Sequence, residues 1–419
     1  MSTRHWIPLL LLLAAGTTQA ATPAPLTLDE AERLAVEQDA LSERSARLAE
    51  AFEEEAVADE QLPDPRLKLG LANFPTDTFS FTQEPMTQLV VGVQQRFPRG
   101  ESRRIRGERR QVQAAEQRAR LAERRRKVRQ ETRKAWWELV YWLRAEKVLE
   151  ANRGLFRQMV EVTEYQYGAG RHNQQDVVRA QLELSRLEDR LAKVRQEQDR
   201  ARAVLARWIG DAAARRALAD DHPDEVSLPA LEVLVERLPA HPLLKAEQAR
   251  IEAARKGVEL AEQAYRPGWM LDVSYGLRGG ENRDGSARSD FLSAAVMVDL
   301  PLFTANRQDR KVTAARRRVA AAQSVRDDRL RELKRMLESQ YASWLRINER
   351  LTLYRERLVP ETAQNAIASL EAYQNDNADF TTLLRARITE LNTHLDVERL
   401  HRDRGRVLAV IEYLAGEEQ

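Results

Sequence analysis

Four short stretches of the chain alternate apolar and polar positions. Leu67, Leu69 and Leu71 oppose Lys68, Gly70 and Ala72, and Leu89, Val91 and Val93 oppose Gln88, Gly92 and Gln94. Trp269, Leu271, Val273, Tyr275 and Leu277 oppose Met270, Asp272, Ser274 and Gly276, and Leu292, Ala294, Val296, Val298 and Leu300 oppose Ser293, Met297 and Asp299. A period of two predicts strands with one apolar face, each of about 9–11 residues. Elsewhere the pattern is helical. Thr27 with Glu30 forms a capping box that predicts one helix over 26–61, stopped by Pro63 and Pro65. Residues 101–164 contain no proline and read as a single helix of about 65 residues, roughly 100 Å long. Gly168 and Gly170 turn the chain, and a second helix runs to Ile209, where Gly210 suits its end. The second half predicts a helix over 230–265 interrupted at Pro239 and Pro242. A very long helix with Pro360 inside it then runs to about Leu370, followed by a turn over 375–379 and a last helix to Leu414.

The order of elements is repeated because the sequence is. Tyr167-Gly168-Ala169-Gly170-Arg171, Arg179-Ala180 and Gly210 recur 206 residues later around Tyr373, Arg385-Ala386 and Gly416, without a gap. Towards the start of each half the match is looser, at offsets of 202 to 203: Pro65 answers to Pro267, and Phe97-Pro98 to Leu300-Pro301. A constant offset marks a duplicated unit. The predicted divisions are a leader at 1–20, a first repeat at 21–210, a linker at 211–229 and a second repeat at 230–419. In each repeat the two shorter helices add up to one long helix, so stacked end to end they match it along a tube about 100 Å long.

Composition narrows the class. Of 419 residues 32% are charged, with 67 Lys+Arg against 65 Asp+Glu, a balance that suits long helices and argues against a nucleic-acid partner. Arg4 and His5, the apolar run 9–15 and Thr18-Gln19-Ala20 have the form of a secretory signal cleaved near Ala20. There is no cysteine, hence no disulfide and no lipid on a mature N-terminal Cys. No other apolar run is long enough for a spanning helix, so a membrane crossing has to be made by strands. Four strands do not close a barrel. Two copies supply eight and three supply twelve. A sheet packed on the helices in a soluble protein is the alternative at this point.

The duplicated helix–strand–strand–long helix–helix order, the Tyr167…Gly170…Val177…Arg179-Ala180-Gln181…Leu184 stretch and the Pro-flanked strands resemble the TolC-like outer-membrane efflux family, over nearly the whole mature chain. The resemblance implies a mainly α protein with a small β part. It implies a homotrimer whose twelve strands form an outer-membrane β-barrel in contact with lipid, continuous with a long periplasmic α-helical barrel. It also implies two partners, a periplasmic membrane-fusion adaptor and an inner-membrane transporter of the RND type. Phe97-Pro98-Arg99-Gly100 and the Asn73-Phe74-Pro75…Gln83-Glu84-Pro85-Met86-Thr87 loop resemble the heavy-metal branch, of the kind named CzcC or CusC, which points to metal cations as cargo. A multidrug or type I secretion duct of the same fold is the alternative, and a periplasmic coiled-coil scaffold or adaptor is the alternative of another class.

By the same analogy the two turns lie at the periplasmic tip, where gating and adaptor docking are expected from Tyr167, Gly168, Gly170, Arg171, Asp176, Tyr373, Asp376 and Asp379. Threefold symmetry would make rings of Asp176, Asp376 and Asp379, which favour cations; ordinary helix capping explains Asp176 and Asp379 equally simply. The second copy's Asn375-Asp376-Asn377 departs from Tyr-x-x-Gly, so the two turns need not be equivalent. Asp272 and Asp299 are expected to face the barrel lumen, where polar residues are ordinary. His394, Glu398 and His401 share a helical face but offer only part of a coordination shell, so no metal site or cofactor is expected. The six methionines form no cluster in the sequence, and no nucleophile–base or phosphate-binding signature is present, so no enzyme activity is expected.

Overall fold

The computed structural model describes residues 24–219 and 226–416, so the leader, six residues of the predicted linker and the last three residues lie outside the described part. The chain runs α1 Leu28–Glu37, α2 Ala40–Asp59, β1 Arg66–Ala72, β2 Gln88–Phe97, α3 Ser102–Gly168, α4 Gln174–Ile209 and α5 Asp211–Ala214, then α6 Leu231–Arg237, α7 Pro242–Glu262, β3 Trp269–Arg278, β4 Phe291–Val298, α8 Gln308–Leu353, α9 Val359–Gln374 and α10 Phe380–Ala415.

Three local features correct the sequence reading. The helix predicted over 26–61 is two helices. Asp39 adopts an extended backbone, and its carboxylate accepts the Ser42 amide at 2.7 Å, which starts α2. The same carboxylate takes a two-pronged contact from Arg124 on α3 (2.7 and 3.0 Å), so the break is held by a partner distant in sequence. The predicted linker is ordered at its start. α5 leads into an extended segment in which Leu26 donates to Ala217 and accepts from Ala219, both at 2.7 Å, and Arg216 holds Glu30 at 2.6 Å. The long second-repeat helix carries one π turn, Tyr354–Leu358, just ahead of Pro360, whose missing amide removes a rung of the ladder.

The four strands form one antiparallel sheet in the order β1-β2-β3-β4. Leu69 pairs with Val91, Val91 with Tyr275 and Tyr275 with Leu292, so the predicted apolar set occupies a single face across all four strands. The opposite face carries Lys68, Gly92, Ser274 and Ser293 in register. The inner strands have 10 residues each, but the edge strands β1 and β4 have 7 and 8, below the expected length, because each pairs on one side only. Among the described residues nothing covers the apolar face: Leu69 is 66% exposed and Leu292 is 76% exposed. A sheet packed on the helices of a soluble protein would bury that face, so this arrangement speaks against that alternative.

The half-length rule is realised in the helices. α2 lies along the first part of α3, where Arg110 meets Glu55 and Asp59 at 3.0 Å. α4 lies along the last part, where Arg195 meets Glu146 at 2.8 Å and Gln198 reaches the Trp142 carbonyl at 3.1 Å. In the second repeat α7 lies along the start of α8 (Arg316–Glu262, 3.3 Å), and α10 packs on its later part and on α9. Where the short helices meet, each repeat has an apolar core. Trp136, Leu139, Leu205 and Ile209 close over Leu26 and Ala31 in the first, and Leu337, Trp344, Leu244 and Leu414 gather in the second. The repeats join where α10 crosses α3 at Gly405, where a Cβ would lie 2.5 Å from the Trp137 ring.

His241 ties α7 to the end of α10. Its Nδ1 accepts the Leu243 amide (3.2 Å), capping α7, and its Nε2 donates to the Tyr413 carbonyl (3.0 Å). Burial, helped by Arg126, pushes its pKa down from 6.5 to about 4. A folded-state pKa below the unfolded one means that the stabilisation is complete above the unfolded value and is lost as pH falls towards 4, up to about 3 kcal/mol. The thermal midpoint is expected to fall between pH 6.5 and 4 in the native chain and to lose most of that slope in His241→Asn. Gly405→Val is expected to cost about 1–3 kcal/mol at all pH values, measured in the same melts.

Candidate functional site at the helical tip

The two hairpin turns end the helical part of the molecule at the pole away from the sheet. In the first, Ala169 donates to Tyr165 (3.0 Å), Gly170 to Tyr167 (2.9 Å) and Arg171 to Gln166 (3.0 Å). In the second, Asn375 donates to Glu371 (3.1 Å), Asp376 to Tyr373 (3.3 Å) and Asn377 to Ala372 (2.8 Å). Each bond recurs at the offset of 206, so the backbone paths are equivalent although the turn sequences differ. This closure needs one residue in the left-handed region. Gly170 supplies it at φ 71°, and Asp376 occupies the same place at φ 60°. Aspartate is among the few side chains that tolerate this conformation.

The side chains then make the turns unlike. His172 of the first turn stacks on Tyr373 of the second (centroids 4.7 Å apart, 18° between planes), and its Nε2 lies 3.1 Å from Asp376 Oδ1. Those two atoms are close but not aligned for a hydrogen bond. Tyr373 is fully buried, with Phe380 at its edge (5.8 Å), and burial, with Asp176 and Asp376 nearby, pushes its phenol up to about 12. Its repeat counterpart Tyr167 is 48% exposed. His172 supplies the ring over Tyr373, and the residue at the offset of 206 from His172 is Ala378, which has no ring. Arg179 Nη1 to Thr381 Oγ1 (3.0 Å) adds a second tie between the hairpins.

The structure therefore brings Asp176, Tyr373 and Asp376 together and leaves Tyr167, Gly168, Gly170 and Arg171 on the outer surface. Asp379 caps α10 through the Thr382 amide at 2.7 Å, and that side chain and amide hold its carboxyl below the usual range. Asp176 lies in the first turn of α4. His172 and Phe380 were not among the expected site residues; their role depends on the approach of two turns about 200 residues apart. Val178 and Leu182, 55% and 48% exposed, form an apolar strip on α4 beside the tip, and their spacing of four was the readable signal.

At the other pole, Asp272 is not a free lumenal charge. It is buried between Lys68 (3.1 Å) and Gln94 (2.6 Å), both on the same face of the sheet. Asp299 lies beyond the end of β4 and pairs with Arg99 at 3.2 Å. The register also sets Met270 opposite Met297, a pairing invisible in a count of methionines. Among the described residues no group of three or more His, Asp or Glu could hold a metal ion, and Glu398 faces Arg144 at 3.6 Å.

Residues 233–417 match the family described as outer membrane efflux protein. No curated protein sequence matches the chain. Among solved structures, the chain is similar to the outer-membrane channel OprN, with 17% identity, 93% of this chain and 89% of that one covered, and a TM-score of 0.77. It is similar to the outer membrane protein VceC from Vibrio cholerae, with 18% identity, coverage of 93% and 96%, and a TM-score of 0.76. It is also similar to CusC, with 14% identity, coverage of 93% and 92%, and a TM-score of 0.79. At these identities the likeness is one of fold.

Asp376 offers a direct test of the tip geometry. Asp376→Val puts a β-branched residue in the left-handed region and is expected to destabilise the turn by about 1–3 kcal/mol, seen as faster amide exchange over 375–379. Asp376→Gly is expected to keep exchange at those amides slow while removing the contact with His172.

Proposed function

Because the chain carries an outer membrane efflux protein sequence over 233–417 on the fold of outer-membrane channels, we propose that three copies form the exit duct of a tripartite efflux system. The observation that carries this reading is the four-stranded sheet: its apolar face is uncovered, both its edges are unpaired, and it is joined to helices of the length of a periplasmic tube. In lipid an open edge leaves backbone donors and acceptors unsatisfied, so the sheet has to be completed by further copies. Twelve strands from three chains make a closed barrel, and the helices continue it as a passage to the tip.

Mechanistically the duct is passive. An inner-membrane transporter of the RND type supplies the driving force, and a periplasmic adaptor joins it to the tip, where Tyr167, Gly168, Gly170 and Arg171 are displayed and Val178 and Leu182 add apolar surface. The contacts of His172 with Tyr373 and Asp376, and of Arg179 with Thr381, hold the two hairpins of one chain together, so opening requires these ties to shift. Asp376 remains 52% exposed and Asp379 is exposed, so threefold repetition gives the entrance a negative ring that favours cations. Heavy-metal cations as cargo follow from that charge and from the resemblance of the 97–100 turn and the 73–87 loop to the metal branch. A multidrug duct is the second reading, since a duct selects its cargo weakly.

Fractionation is expected to place the chain in the outer membrane as a detergent-resistant trimer; a soluble monomer in the periplasm overturns the duct. In planar bilayers, Asp376→Ala with Asp379→Ala is expected to lower cation selectivity and raise the open fraction; unchanged currents reject the ring. Increased sensitivity of a deletion strain to metal salts with unchanged sensitivity to organic drugs is the expected cargo result, and the opposite pattern favours the second reading.

A further inference from the structure

Strand register brings together two side chains that the sequence keeps apart. Met270 is the second residue of β3 and Met297 the last but one of β4, and they are direct partners across the antiparallel pair. Directly opposed residues of such a pair have Cα atoms about 4.5–5.5 Å apart and side chains on one face. That face is the polar one. The next pairs on it are Asp272–Ala295 and Ser274–Ser293, and Arg96 and Gln94 of β2 lie opposite Met270 and Asp272. Both methionines line one cavity of about 300 Å³, with Gln94, Arg96 and Asp299 also on its wall, at the end of the sheet that leads into the helices.

Apolar burial does not account for this pair. Met159 and Met336 pack in the helical cores of the tip and the second repeat. Met297 is 46% exposed, on a face that otherwise carries Lys68, Gln94, Asp272 and Ser293. The pair offers two thioether sulfurs, soft and polarizable donors that favour copper(I) and ions like it, whereas harder cations prefer carboxylate, carbonyl and imidazole ligands. The harder ligands here are engaged or missing. Asp272 is held by Lys68 (3.1 Å) and Gln94 (2.6 Å), and Asp299 by Arg99 (3.2 Å). Asp64 shares the cavity with Arg66 and Arg96, and no histidine is among the described residues that line it. With carboxylates and guanidiniums matched, the cavity has no net negative charge to concentrate a hard cation.

We infer that Met270 and Met297 form a transit site for soft monovalent cations, copper(I) or silver(I), on the polar face of the sheet. The inference rests on the metal-cargo reading above and narrows it from heavy-metal cations in general to one class. Two neutral donors hold such an ion loosely, which suits a site that cargo has to leave again. Three copies of the chain set three such pairs at one level, where the helical passage enters the barrel. The tip and this site then divide the selection: exposed carboxylates at the entrance favour positive charge, and the thioethers favour softness.

Silver(I), which needs no reductant, is the probe, and the chain has no cysteine to compete for it. In the full-length assembled chain labelled with ¹³C at the methionine methyl groups, silver(I) is expected to shift the resonances of Met270 and Met297, assigned through the single Leu variants. Those of Met159 and Met336 are expected to stay in place, and zinc(II) is expected to move neither member of the pair. Met270→Leu with Met297→Leu keeps volume and apolar character. In cells it is expected to lower tolerance of silver and copper salts several-fold and of zinc salts much less. Resonances of Met270 and Met297 that silver(I) does not move in an assembled trimer overturn the site and leave the metal duct standing. A deletion strain no more sensitive than its parent to any metal salt overturns the cargo reading and the transit role with it.

Discussion

In the duct proposed above, an unpaired strand edge inside a membrane is the constraint on which the rest of this molecule depends. Each backbone amide and carbonyl left without a partner in hydrocarbon costs several kcal/mol, of order 1–7 depending on the reference. A single chain offers four strands whose apolar residues share one uncovered face and whose outermost strands each pair on one side only. Among the described residues nothing repairs either defect, so in that proposed setting the sheet is complete only as part of a closed set of copies.

The helices meet a related demand beyond the sheet. A helix of 67 residues has far more surface than one partner of ordinary length can cover. The chain resolves this by laying two shorter helices end to end along it, with apolar cores where they meet and ion pairs along the remainder. The duplicated sequence does this twice, and the two layers join where Gly405 lets α10 approach Trp137. Polarity on the opposite face of the sheet is likewise settled within the chain, where Lys68 on β1 reaches across β2 to neutralise Asp272 on β3.

At the tip, equivalence and asymmetry coexist. The two turns share every closing hydrogen bond because the backbone requirement, one left-handed residue, is met by Gly170 in one and Asp376 in the other. Their side chains are arranged differently: His172 lies on Tyr373, which is buried, while Tyr167 is 48% exposed. A mouth built from three such chains alternates a clasped, buried turn with an open, displayed one, which gives the gating and docking roles proposed for it distinct surfaces.

Much of this was legible in the residues themselves. The period of two in Leu67–Leu69–Leu71 and its counterparts, the absence of proline over 101–164, and the offset of 206 determined the strands, the helices, their order and the apolar face of the sheet, because these depend on local periodicity. Tertiary structure decided the rest. The break at Asp39 depends on Arg124, the order of 211–219 on Leu26, the equivalence of the turns on backbone closure, and the pairing of Met270 with Met297 on strand register. The burial of Tyr373 beneath His172 belongs to this second group. Contacts between residues far apart in sequence leave no periodic trace, because the distance that matters to them is measured in space and not along the chain.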